Sequence, residues 1–221
     1  MRPRADFEID FGLSGLTKFL RVGAVPRNAE GILAFITESL LANDGEDFAV
    51  EMVNDIHRLT QSTLSDDVLS ILWLAATRAH FDPEADGIAI RAWLERIAEA
   101  CLPFTGQDLP PELGMQDEDL RPDLQAAVLA ELTGVSAALT EKAITSSYAP
   151  PLPTVVPALE AAIPVIGADL GFRLFLRAMK AYFVPIGPAR MARFDEIGER
   201  LGYHLFVVDD GCLNVWSDLN D

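Results

Sequence analysis

At 221 residues, the chain is long enough for one sizeable core or two small ones. Half of its residues are apolar and 23% are charged, a globular composition that argues against extensive disorder. Its net charge of −17 disfavours nucleic acid and anionic membrane as partners, because phosphate contacts need Lys and Arg, and favours a basic protein.

The charge is unevenly placed. Residues 28–131 hold 21 acidic side chains against 5 basic ones, whereas residues 173–200 hold 3 against 6. The longest apolar runs, Val68–Ala76 and Val155–Val165, fall short of the roughly 20 residues of a membrane span. The charged N-terminus leads into Phe7-Glu8-Ile9-Asp10 instead of an apolar leader, so the expected address is cytoplasmic. Cys101 and Cys212 both sit among apolar neighbours and read as reduced, packed thiols.

Asp6–Phe11 alternates acidic and apolar residues and predicts a strand, followed by a helical turn over 13–20. Asn28 is a plausible N-cap for a helix that stops at Asn43-Asp44-Gly45. Further helices are expected from Glu46, from Ser65-Asp66-Asp67, and over about 86–101. Short connections between these helices imply antiparallel neighbours. Residues 103–122, rich in Pro and Gly and carrying the acidic run Asp117-Glu118-Asp119, read as a surface loop.

Helices resume over 123–133 and 136–147, with Gly134 expected to break them. Pro150-Pro151-Leu152-Pro153 reads as a stiff joint, which makes it the candidate boundary between two lobes of a single domain. The first lobe, 1–148, is helical and acidic; the second, 154–221, holds helices near 154–165, 168–183 and 188–201, with Pro164 ending the first of these. Tyr203–Val208, the turn Asp209-Asp210-Gly211 and Cys212–Trp216 predict a β-hairpin. The fold class is therefore mainly α (α+β): a helical bundle or irregular array with a small antiparallel sheet, to which the N-terminal strand can add.

Signatures of chemistry are sparse. Phosphate-binding and dinucleotide glycine motifs are absent, and Gly12-Leu13-Ser14-Gly15 lacks the spacing of a nucleophile elbow. His57, His80 and His204 lie on separate elements without a metal-ligand spacing. Asp82, Glu84, Asp86 and Gly87 match part of a calcium loop, but Trp93 stands where a bidentate Glu is required. No catalytic residue, metal or cofactor is assigned.

Two charged constellations remain. Glu46, Asp47, Glu51, Asp55, Asp66 and Asp67 are the candidate partner-binding surface, a helical acidic face able to steer a basic protein. Arg173, Arg177 and Lys180 share one helical face at i, i+4 and i+7. They are either a site for an anionic ligand or ion-pair partners for the acidic segment. The leading expectation is a non-enzymatic binding protein of the immunity-protein or effector-chaperone type; an enzyme or ligand sensor using the three cations is the alternative.

Overall fold

The helical spacings become ten α-helices in a computed structural model that describes residues 7–22, 25–42, 45–106, 121–147 and 149–219. In chain order these are α1 (Gly12–Val22), α2 (Ala29–Ala42), α3 (Glu46–Thr60), α4 (Asp66–Thr77), α5 (Ile90–Cys101), α6 (Pro122–Thr145), α7 (Val155–Ile166), α8 (Ala168–Ala181), α9 (Pro188–Leu201) and α10 (Leu205–Val208). The molecule is mainly α, as its periodicity indicates.

Helix α8 is buried along its whole length because Leu170, Phe172, Leu174, Phe175, Leu176 and Met179 clothe it on most sides. A helix apolar nearly all round belongs in a core. Helices α1, α4, α6 and α7 pack against it, and α3 reaches it directly through the pair of Asp55 with Arg173. Buried apolar side chains from Phe7 to Leu213 form one continuous cluster.

Several boundaries follow identifiable caps. Asn28 accepts from the Gly31 amide at 2.8 Å, Ser65 caps α4 through the Val68 amide, and Gly202 ends α9 at φ +76°. Gly134 does not break a helix: α6 runs through it, and its missing side chain makes room for Arg190, whose Nη1 would lie 2.4 Å from a Cβ there. Pro164 likewise falls inside α7, near its end.

The C-terminal hairpin and the N-terminal strand are corrected. Residues 7–11 are irregular, and residue 6 lies outside the described residues. Leu205–Val208 forms α10, with His204 as N-cap, and buries Val207 and Val208 while leaving Leu205 and Phe206 exposed. Short apolar runs do not distinguish helix from strand by period. The small sheet is parallel, not antiparallel: β1 (Pro185–Ile186) pairs with β2 (Asn214–Val215). Within the expected 103–122 loop, residues 107–120, including the acidic run at 117–119, lie outside the described residues.

Candidate functional site

Along α8 the charged residues Asp169, Arg173, Arg177 and Lys180 recur at i, i+4, i+8 and i+11, so they form one stripe on a helix with no solvent face. Charge placed in a core must be paired and hydrogen-bonded. The partners come from distant parts of the chain.

Arg173 grips Asp55 of α3 in a bidentate pair, Nη1 to Oδ2 at 2.8 Å and Nη2 to Oδ1 at 2.7 Å. It also donates to Asp169 at 3.3 Å, to the Phe11 carbonyl at 3.0 Å and to the Ser14 hydroxyl at 2.9 Å, and its guanidinium lies 4.4 Å from the centre of the Phe11 ring. Arg58 approaches Asp169 at 3.7 Å, and the Tyr203 hydroxyl donates to the same carboxylate. The turn before α1 closes over this pair. Gly12 has φ +58°, and a Cβ there would stand 2.2 Å from Asp55 Oδ2, so glycine is required both for its backbone and for the space.

Ser14 links this cluster to a second one. Its hydroxyl donates to Asp10 at 2.6 Å, and Asp10 in turn pairs with Arg177 at 2.8 Å. Asp210 collects three cations: Lys18 at 2.6 Å, Lys180 at 3.1 Å and Arg177 at 3.3 Å. Burial acts to raise the Asp210 pKa, but Lys180, Lys18 and Arg177 together outweigh it and hold the carboxyl well below the usual range. Burial, with repulsion from Arg177, lowers Lys180 to about 8 against the pull of Asp10 and Asp210. Arg173 is opposed by burial too, but Asp169 and Asp55 carry its pKa above the ordinary value.

The network joins α1, α3, α8 and the segment after α10. Its side chains are enclosed, with Arg173 1%, Arg177 2% and Lys180 0% exposed. A separate clamp holds α9 to α6, where Glu131 receives Arg190 at 2.8 Å and Arg193 at 2.6 Å.

The expected acidic surface divides. Glu46, Asp66 and Asp67 are exposed and Asp47 is half-buried, while Glu51 and Asp55 (1% exposed) point inward because Ala49–Ile56 is buried on every side. Asp66 is held by Arg91 at 2.7 Å; the same guanidinium donates to the Thr60 and Leu64 carbonyls and so fixes the connection between α3 and α4. The three cations of α8 come together as expected of a shared face, but they meet carboxylates. Asp10, Ser14, Asp169, Tyr203 and Asp210 were missed as their partners. An arginine stripe in an otherwise apolar helix, with Asp169 four residues before Arg173, was the available signal.

Asp82 and Glu84 organise a turn. Asp82 accepts from the Glu84 amide at 3.0 Å, and Glu84 accepts from Ser70 at 2.8 Å. Among the described residues, no group of three or more His, Cys, Asp or Glu is placed to hold a metal ion. Cys101 and Cys212 are free thiols, and burial pushes Cys101 up to about 12. No described helix is long and apolar enough to cross a membrane. No protein-family profile, curated protein or solved structure matches the chain.

Proposed function

We propose that the chain is a non-enzymatic binding protein that engages a basic protein partner through its acidic exterior, as an immunity protein or an effector chaperone would. The observation that supports this reading is a partition of charge. Among the Lys and Arg side chains that the structure describes, a set without Arg2, Arg4 and Arg21, only Arg27, Arg121 and Arg200 fall in the exposed class; the rest of that set turn inward or lie half-covered. Exposed acids, by contrast, occur on nearly every long helix, including Glu30, Glu46, Asp67, Glu95, Glu141 and Glu196. The fully exposed charges are therefore mostly carboxylates, and an acidic surface speeds encounter with a cationic one.

Affinity capture from a lysate at low and high salt, with mass spectrometry of the retained proteins, supplies the partner. Stopped-flow mixing with that partner then tests the reading. Association should slow at least about tenfold from low to high salt and in the triple variant Glu46→Lys/Asp67→Lys/Glu95→Lys, with little change in dissociation. A salt-independent association rate, unchanged in the triple variant, rejects it.

A further inference from the structure

Helices α1, α2 and α3, with the irregular segment that precedes α1, enclose a groove of about 530 Å³ on the acidic side of the sequence. Its walls are Phe7, Phe19, Phe35 and Phe48, with Ile9 and Met52 among the aliphatic residues. Phe19 and Phe35 face each other at 6.4 Å between ring centres. The wall reaches solvent, since Ile9 is 43% and Phe19 37% exposed. Exposed aromatic surface that continues into a cavity is a feature of an interaction site more than of a solvated monomer face.

The polar residues lining the groove are few, Ser39 and Asp47 with the backbone of Gly45, and Asp47 is the one charged side chain among the lining residues. Glu8 stands between the lining residues Phe7 and Ile9, Glu38 precedes Ser39, and Glu46 lies between Gly45 and Asp47; all three are exposed. A small-molecule pocket fixes its ligand with convergent polar groups inside. An apolar lining that holds one acid, with exposed acids next to it in sequence, instead fits an amphipathic helix laid apolar side down.

We infer that this groove takes a basic amphipathic helix of the partner protein, its apolar side chains seated among the phenylalanines and its Lys or Arg residues meeting Glu8, Glu38, Glu46 and Asp47. The inference rests on the proposed acidic-exterior reading and gives it an anchor, because charge steers an encounter while a buried apolar cluster holds it.

The test uses the full chain and three dye-labelled helical peptides of equal length: Lys/Leu amphipathic, Lys/Ser with the same charge, and Glu/Leu with the same apolar face. Anisotropy should show the Lys/Leu peptide binding at least about tenfold tighter than Lys/Ser, the gain from burying one or more leucines. In Phe19→Gln/Phe35→Gln, checked for fold by circular dichroism, that preference should fall below about threefold. As a measurement free of mutation, the neutral apolar dye N-phenyl-1-naphthylamine should bind the wild-type chain and be displaced by Lys/Leu but not by Lys/Ser.

Equal affinity for Lys/Leu and Lys/Ser overturns the groove and leaves the acidic exterior standing. Equal affinity for Glu/Leu and Lys/Leu overturns the basic occupant. Dye that binds but is not displaced marks a small-molecule pocket and overturns the helix. Failure of both cationic peptides to bind overturns the exterior reading together with the groove.

Discussion

Arg173→Met removes the guanidinium at the centre of the core network and keeps most of the apolar stem. The structure fixes what is left behind. Asp55 keeps the Leu13 amide at 2.9 Å as a donor, and Asp169 keeps Tyr203 and the more distant Arg58, but the bidentate partner of Asp55 is gone. The Phe11 carbonyl and Ser14 lose a donor as well.

Breaking a buried pair from one side costs about 3–5 kcal/mol, against a native stability of about 5–15 kcal/mol. In urea unfolding followed by circular dichroism, the midpoint should fall in proportion with m unchanged. At about 2–4 °C per kcal/mol for a chain of this size, the melting temperature should drop by roughly 10 °C. Adding Asp55→Leu removes the orphaned carboxylate, so the double variant should be about 0.5–3 kcal/mol more stable than additivity of the single variants allows. A loss below about 1 kcal/mol for Arg173→Met, with m unchanged, refutes the view that this network holds the core together.

Lys180 gives the opposite sign. Burial holds its amine at about 8 in the fold against an ordinary value of 10.5, so between those values the unfolded chain binds a proton that the native state does not. Wild-type stability gains about 3 kcal/mol from this residue as pH rises through that window. Lys180→Met should therefore be the more stable protein at pH 7, with the advantage closing by about pH 10.5. Cys101, raised to about 12 by burial, works the other way above its ordinary value of 9.0, so the difference between the two proteins is the quantity to follow in urea midpoints. A constant difference from pH 7 to 10.5 contradicts the burial of the charge. Gly12→Ala should cost about 2 kcal/mol or more, read as a lower melting temperature, since left-handed backbone alone costs roughly 1–2 kcal/mol and the new methyl meets Asp55. Asp55→Lys should yield no cooperative melting transition, whereas Asp67→Lys, on the exposed first turn of α4, should cost only about 1 kcal/mol through the helix dipole.

Much of the helical frame was legible because its cues are local. Asn28, Ser65 and Gly202 mark ends by capping chemistry, and the apolar spacings of α2 to α5 repeat over several turns. The C-terminal segment was not legible in the same way: Leu205–Val208 is too short for a period to choose helix over strand, and β2 finds its partner almost thirty residues back instead of across a tight turn. Charge misled for a related reason. Glu51 and Asp55 share a helix with exposed Glu46, and only tertiary packing decides which of them turns to solvent. The pairing of Asp55 with Arg173 spans 118 residues, a separation that composition and spacing do not encode.

The partition of charge is tested most directly by arginine footprinting: brief treatment with phenylglyoxal, proteolysis, and mass spectrometry of each arginine peptide. Arg27, Arg121 and Arg200 should be modified readily in the native protein, with Arg200 slowed by its pair with Asp123, while Arg173 and Arg177 should stay unmodified until denaturant is added. Modification of Arg173 or Arg177 in the native protein as fast as Arg27 would put those cations outside and contradict both the ion-pair core and the acidic exterior built on it.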